Sequence, residues 1–309
     1  MILLYAVGTA FLGLVLFNRL MPARAAHTAV GLERRRSGLA TKHGSLPYLE
    51  GGNGPETLVL VHGFAGDKDN FTRIAAMLVP HYRVIIPDLP GFGAARRDAA
   101  AKHDIAQQVE NLRAFLNELG VQRFHLGGNS MGGFIACEYA ARYPAQVRSL
   151  WLLDPAGTAA AFAVPAFTHY MQTGDMPLLV REPGAMRALL DTCMHKRPWF
   201  PWCLEHQLAR RAVHDYPLHV QIMREVVDSP RLEDQYQHID TPALIVWGKE
   251  DRVLSPGAAI AMQALLPGSE VILMEGIGHL PMLEAPRRTA RDFLAFQQRL
   301  REHHAAEVA

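Results

Sequence analysis

Cysteine is scarce in this chain, with three residues among 309. So few cannot build the disulfide framework that holds small secreted domains together. Cys137 falls within an apolar helical stretch and reads as a small core residue. Cys193 and Cys203 leave two readings open, a bridge in an oxidising compartment or two free thiols. An excess of one charge is missing too: 31 Lys and Arg against 30 Asp and Glu give a formal net charge of +1 and a pI near 7.9. That balance lacks the concentrated basic surface of a nucleic-acid binder, and no nucleic-acid partner is expected. The 15 histidines come without an H-E-x-x-H pattern, and His214 and His219 are spaced onto different helix faces. No metal site and no cofactor are read from them. Internal repeats and low-complexity tracts are absent as well. What is present, 49% hydrophobic and 20% charged residues, is enough for one large core and an accessory region.

One further absence is local. No charged side chain occurs between Met1 and Phe17, and the run ends at Asn18-Arg19. This is about the shortest length that crosses a bilayer as a helix, so residues 1–20 read as an uncleaved transmembrane anchor. A buried core helix is a poor alternative because the fold is complete without this segment. A cleaved signal peptide fits Ala23-Arg24-Ala25 but not the lack of positive residues ahead of the apolar stretch. Arg19, Arg24 and Arg34 to Arg36 all follow the segment, and the positive-inside tendency would place the body in the cytoplasm. Ala6 and Ala10 have the small-residue spacing that supports helix pairing in a bilayer, hence a possible homodimer. In the juxtamembrane segment 21–45, Thr28 to Leu39 mixes Val30, Leu32 and Leu39 with Glu33 and arginines. It reads either as an amphipathic helix on the lipid surface or as a solvated linker.

The densest chemical signal is Gly128-Asn129-Ser130-Met131-Gly132. It follows the apolar run Arg123 to Gly127 and opens a helical stretch, Met131 to Tyr143. Two glycines flanking a serine permit a strained strand-to-helix turn that pushes the hydroxyl into the open. The helix that follows aims unpaired N–H groups at the same spot. Val59-Leu60-Val61-His62-Gly63-Phe64 is a buried-strand run ending in His-Gly. It places the Phe64 N–H as a second oxyanion donor beside that of Met131. Ala243 to Gly248 is another buried strand, with Asp251 just past its end. Val271 to Met274 is a third, followed by His279. Ser130, Asp251 and His279 thus occur in the order of a nucleophile, an orienting acid and a base, each in a loop at the carboxyl end of an expected strand.

Around these loops the chain alternates strand and helix: Thr57 to Val61, Asp67 to Val79, Tyr82 to Pro87, Asp104 to Leu119, Arg123 to Gly127, Ser130 to Tyr143 and Val147 to Leu153. Such alternation calls for a mainly parallel sheet covered by helices on both faces. The body therefore divides into a first core part, 46–154, and a second, 239–309. Between them, over 155–238, helical patterns punctuated by proline replace the rhythm. The turn Asp88 to Gly93 is read as structural.

These motifs resemble the α/β-hydrolase superfamily over roughly Leu46 to Leu300. Trp247 to Leu254 and Gly278 to Pro286 look like the membrane-anchored monoacylglycerol lipase branch and the bacterial inner-membrane phospholipases A. The resemblance implies an α/β-hydrolase fold whose 155–238 insertion is a helical cap, and a Ser130–His279–Asp251 triad acting on lipid carboxylic esters without a cofactor. It also implies a single pass through the inner membrane with the body on the periplasmic side. Asp154 is the rival acid, since some relatives carry theirs at the end of that strand. Within the cap, Phe162, Phe167, Tyr170, Met171, Met186, Leu189 and Met223 are candidates to contact an acyl chain, because methionine and aromatic side chains adapt to long irregular ligands. Trp199, Phe200 and Trp202 with Lys196, Arg197, Arg210 and Arg211 suit a lipid-facing edge. Two other function classes are carried alongside. Gly-Asn-Ser-Met-Gly-Gly also occurs in hydrolases that cleave carbon–carbon bonds of aromatic ring-fission products, which usually have tryptophan where this chain has Leu280. A non-enzymatic binding protein on the same scaffold is the other, and the complete triad argues against it.

Overall fold

The structure is a computed structural model and describes residues 27–28, 31–36, 45–198 and 202–308. The expected anchor over 1–20, with Ala6 and Ala10, lies outside the described residues, as do Trp199 and Phe200. Among the described residues no helix is long and apolar enough to cross a membrane.

Continuous apolar runs form the middle of the sheet because both of its faces are covered. The strands are β1 Leu32–Arg36, β2 Pro47–Gly51, β3 Glu56–Val61, β4 Tyr82–Pro87, β5 Phe124–Asn129, β6 Val147–Leu153, β7 Ala243–Gly248 and β8 Ser269–Met274. They lie in the order β1-β2-β4-β3-β5-β6-β7-β8, with β3 to β8 parallel and β1 and β2 antiparallel at one edge. Side chains alternate across the strands. Leu58, Leu60, Trp151, Leu153, Leu244 and Val246 enter one core layer, while Val59, Val61, Leu150, Leu152, Ile245 and Trp247 enter the other. In the first layer the Trp151 ring stacks on Phe293 at 4.3 Å between centroids.

The helices outside the stretch between β6 and β7 are α1 Thr72–Leu78, α2 Ile105–Glu118, α3 Met131–Arg142, α8 Ala258–Leu265, α9 Pro281–Glu284 and α10 Pro286–Val308; α4 Pro165–Thr173, α5 Met186–Cys193, α6 Trp202–Val227 and α7 Leu232–Gln235 fall between β6 and β7. The helix α2 starts where the Asp104 side chain accepts the Gln107 N–H, satisfying one of the donors that a helix leaves open at its first turn. The stretch expected as one helix from Asp67 to Val79 is instead a 3-10 turn, Lys68–Phe71, followed by α1. Asp67 and Asn70 cap that turn reciprocally through each other's backbone N–H, which fixes the tighter turn at the entry.

The amphipathic-helix reading of Thr28 to Leu39 is corrected for its described part. Leu32–Arg36 is an edge strand paired with β2 from Leu32↔Gly51 to Arg36↔Pro47. Leu32 is buried and the next four residues are exposed, with Arg35 bridging Glu33 at 2.9 Å and Glu50 at 3.0 Å. The partner strand is more than ten positions further along the chain, so local periodicity carries no sign of it.

The Asp88 to Gly93 turn has a structural task. Asp88 is buried and accepts hydrogen bonds from Lys68 Nζ at 2.7 Å, Lys68 N–H at 2.8 Å and Ala94 N–H at 2.8 Å. The Lys68 side chain is buried with it. Removing one member of such a pair leaves a charge in the core with no partner. Asp88→Ala is therefore expected to lower unfolding stability by about 3–5 kcal/mol in denaturant melts. Glu270→Ala, which breaks a half-exposed pair with Arg299, should cost about 0–1 kcal/mol. Equal effects in the two melts would refute the assignment of Asp88 as the anchor of this loop.

Candidate active site

Ser130 sits at the turn between β5 and α3 with φ +56° and ψ −120°, a backbone conformation that side chains tolerate only where the surroundings enforce it. Here they do. Its N–H donates to the Leu153 carbonyl at 3.0 Å, and its own carbonyl accepts from Gly133, Phe134 and Ala156 N–H at 2.9, 3.1 and 3.0 Å. A Cβ on Gly128 would lie 2.1 Å from the Gly132 carbonyl oxygen, and one on Gly132 would lie 2.1 Å from that of Val61. Both glycines are required by backbone contact. A Cβ on Gly63 would come within 3.0 Å of the Ser130 Cβ, so the His62-Gly63-Phe64 loop lies directly against the serine.

Phe64 lines the cavity above Ser130. Met131 is the first residue of α3 and is buried, where a helix leaves its N–H without an intrahelical acceptor. His62, which the sequence offered only as part of a His-Gly marker, holds this loop. Its Nδ1 lies 2.8 Å from the Gly63 carbonyl and its Nε2 lies 3.0 Å from the Leu89 N–H. Nδ1 therefore carries the proton and Nε2 accepts. Burial pushes its pKa below the ordinary imidazole value against the pull of Asp88, so the ring stays neutral.

The loops after β7 and β8 bring Asp251 and His279 together, with Asp251 Oδ2 2.8 Å from His279 Nδ1. Asp251 also accepts from Trp247 Nε1 at 3.1 Å on Oδ2, and from the Val253 and Leu254 N–H groups at 2.8 and 3.1 Å on Oδ1. The His279 N–H donates to the Cys193 carbonyl at 2.8 Å. Its carbonyl accepts from Asn129 Nδ2 at 3.0 Å, an amide that also donates to Leu153 at 3.0 Å. Asn129 thus ties the histidine loop to the serine turn, a link the motif contains without revealing its partner. Ser130 and His279 line the same cavity, of about 180 Å³.

Asp154 does not hold the histidine. It is buried with φ +46°, and its Oδ1 accepts the Gly248 N–H at 2.8 Å. Asp154, Asp251 and His279 each bring a potential metal-binding atom within 4.8 Å of the others, but a proton already joins the facing atoms of Asp251 and His279. Burial first, and the Asp251 charge second, hold the Asp154 carboxyl well above the usual carboxylate range. The three cysteines are free thiols, and burial pushes Cys193 up to about 12.

Of the seven residues expected to meet an acyl chain, Met186 and Leu189 line the cavity. Phe162, Phe167, Tyr170, Met171 and Met223 do not. Phe162 and Phe167 pack on each other at 4.7 Å, Tyr170 and Met223 join the main core, and Met171 is 70% exposed. On α4, Phe167 and Tyr170 turn to the core while Met171 faces outward, and Met223 is on the core side of α6. Arg211, expected at a lipid-facing edge, instead lines the cavity and pairs with Asp67 at 2.7 Å. Trp202 is exposed. The sequence reading missed the inward face of α6, where Arg211, Asp215, Tyr216 and His219 line the cavity. Their helical spacing was the available signal.

The raised Asp154 pKa has a consequence for stability. Between the ordinary carboxylate range and its raised folded value, the folded state binds more protons than the unfolded one, so stability falls as pH rises through that window. Asp154→Asn keeps the shape and removes the titration. Urea melts should show the variant gaining on the wild type progressively above about pH 4. Parallel stability–pH curves for the two proteins would contradict the buried, protonated assignment.

The family described as alpha/beta hydrolase fold matches residues 56–286. Lipase 3 of Moraxella sp. (strain TA144) is 36% identical over 281 residues, covering 87% of this chain and 88% of that protein. Monoacylglycerol lipase ABHD6 of Mus musculus is 30% identical over 77% of this chain and 75% of its own length. Among solved structures, one described as a membrane phospholipase A and bacterial virulence factor superposes with a TM-score of 0.90 at 38% identity, covering 97% of each chain. A parallel sheet with its serine turn after β5, and a family match from β3 to the start of α10, have one meaning: this chain belongs to the alpha/beta hydrolase fold family.

Proposed function

We propose that this protein is a membrane-anchored serine hydrolase that cleaves carboxylic esters of lipids through an acyl-enzyme. The observation that carries the reading is the buried 2.8 Å contact between Asp251 and His279 Nδ1, in loops that share one cavity with Ser130. With Nδ1 committed to Asp251, Nε2 is the free nitrogen of His279. Ser130 Oγ attacks the ester carbonyl while Nε2 takes its proton. The same proton then goes to the leaving alcohol, and water, deprotonated by His279, releases the acid from Ser130. Asp251 fixes the imidazole tautomer and stabilises the imidazolium. The Phe64 and Met131 N–H groups hold the oxyanion of the tetrahedral intermediate. This chemistry calls for no cofactor.

Lipid esters are supported by the apolar wall of the cavity, in which Leu178, Leu179, Val180, Met186, Leu189 and Leu190 take part, and by the printed names of the lipase and phospholipase relatives. The anchor reading rests on the uncharged run Met1 to Phe17 and on the membrane phospholipase description of the solved relative. Tethering confines the search for substrate to the lipid surface while leaving the chemical step unchanged.

Ser130→Ala and His279→Ala should each lower ester turnover by about 10⁴-fold or more while the fold persists, with Asp251→Asn somewhat less severe. Fluorophosphonate labelling should occur at Ser130 in the wild type and vanish in Ser130→Ala. Near-normal activity of Asp251→Asn together with a dead Asp154→Asn would transfer the acid's role to Asp154.

Deleting residues 1–20 should move the protein to the soluble fraction and depress hydrolysis of vesicle-embedded lipid far more than that of a short-chain soluble ester. Both activities can be measured in one vesicle suspension. An equal loss on the two substrates would reduce the segment to a support for folding.

A further inference from the structure

His279 stands in a loop that is gripped from two sides. One side is the loop after β7. A Cβ on Gly248 would lie 2.1 Å from the Gly278 carbonyl oxygen. The Glu250 N–H donates to the Ile277 carbonyl at 3.0 Å, and Glu250 Oε2 accepts the Ile277 N–H at 3.0 Å. These contacts continue the pairing of β7 with β8 and hold the residues that lead up to His279.

The other side comes from the stretch between β6 and β7, at the end of α5. The His279 N–H donates to the Cys193 carbonyl at 2.8 Å. A Cβ on Gly278 would come within 2.7 Å of the His195 backbone nitrogen and 3.0 Å of the Cys193 carbonyl oxygen, so the two main chains meet with no room for a side chain between them. Glu284, the last residue of α9, closes this junction. Its Oε1 accepts the Gly278 N–H at 2.9 Å and its Oε2 accepts the Lys196 N–H at 2.8 Å. One carboxylate thus joins the residue directly before His279 to the chain that leaves α5. Such bonds from a backbone N–H to an ionised oxygen are stronger than those between neutral groups. The carboxylate is itself held close, because the Leu283 and Glu284 N–H groups both donate to the Leu280 carbonyl, at 2.9 and 3.0 Å.

The same end of α5 borders the reaction space. Met186, Leu189, Leu190 and Cys193 line the cavity that contains Ser130 and His279, whereas Glu284 does not. Asp251 sets the His279 ring through Nδ1, and Asn129 holds the His279 carbonyl. The main chain on the amino side of His279 still has to be fixed, and there the Gly278 and His279 N–H groups are bound by Glu284 and by the Cys193 carbonyl. A base must lie within hydrogen-bond reach of the proton it takes. Misplacing it by about 1 Å can cost about 100-fold in rate.

We infer that Glu284 is a positioning residue: by bridging Gly278 to Lys196 it holds His279 in reach of Ser130 and makes the α5 wall of the cavity part of the frame that carries the base. This rests on the reading of His279 as the general base.

The test measures kcat and KM of the full-length protein on p-nitrophenyl butyrate, with intact sites counted by fluorophosphonate labelling run to completion. Glu284→Ala should lower kcat per labelled site by about 100-fold and slow the labelling reaction, with KM little changed because Glu284 does not line the cavity. Glu284→Gln keeps the shape and one acceptor oxygen. Its kcat should lie between the two, on the order of tenfold below the wild type, the size of one lost hydrogen bond. A purely structural role would reduce the number of labelled sites and leave turnover per site as it was. That result overturns the proposal, and so does a wild-type kcat in Glu284→Gln, which decides the matter even where Glu284→Ala does not fold. Since Glu284 acts through His279, adding Glu284→Gln to His279→Ala should leave the residual turnover unchanged; a further loss there also overturns it. Failure of the underlying reading looks different, because His279→Ala alone would then keep its turnover.

Discussion

The site depends on a backbone contact with no space for side chains. Gly128 meets the carbonyl of Gly132, and Gly132 meets that of Val61, so β5, the start of α3 and the end of β3 are pressed together at one point. That closeness gives Ser130 its positive φ. It also brings the first N–H groups of α3 and the loop after β3 to the same side of the serine. A side chain at either glycine would move all three elements, and with them every donor around the hydroxyl. The strain is supported by the four hydrogen bonds to the Ser130 backbone, and the parallel sheet supports those in turn.

A second constraint is electrostatic. Two aspartates, Asp154 and Asp251, are buried beside each other at the ends of β6 and β7, and both cannot cheaply be charged in so dry a place. The hydrogen-bond donors decide which one is. Asp251 receives Trp247 Nε1, two backbone N–H groups and His279 Nδ1. Asp154 receives the Gly248 N–H, and burial with the Asp251 charge keeps its proton on. The same aspartate type thus serves as carboxylate in one loop and as neutral acid in the next, according to its donors, its burial and the charge of its neighbour.

What the sequence made legible follows from how local each signal is. The runs β4, β6 and β7 were read to their end residues because a strand buried on both faces is mostly apolar, with Arg83, Arg148 and Ser149 the exceptions among these three. Ser130, Asp251 and His279 were readable because each follows such a run in a glycine-containing loop. Between Asp154 and Asp251 the loop context favoured Asp251, and Asp251 is the one that meets His279. Strand β1 went unread because an edge strand with one buried residue in five has no periodicity of its own, and its stability comes from pairing and from the Arg35 bridges; β2 is five residues that open on proline and close on glycine, which read as loop. Five of the seven acyl-chain candidates lie outside the cavity for the opposite reason. Phe162, Phe167 and Met223 are apolar at helical spacing, as a lipid pocket requires, but so is any core face, and composition cannot say which surface a helix turns toward its neighbours.

The wall that sequence reasoning overlooked is the polar one, and its polarity is compatible with a lipid cavity only because its ions are matched before any ligand arrives. Arg211 with Asp67, and Arg97 with Asp215, pin α6 to the loops after β3 and β4, holding the insertion in place over the serine. Under the proposed function, a fatty chain entering along the aliphatic side would meet paired charges, whose attraction for water is partly satisfied internally. Lys68 and Asp88 form the third pair in the same region, fully buried beneath the turn that carries Gly91. Phe92 in that same turn packs on the His219 ring at 5.2 Å, as Phe64 does at 5.5 Å. The position of one imidazole in the cavity is therefore set by the folding of β4 and its turn, as well as by the helix that carries it.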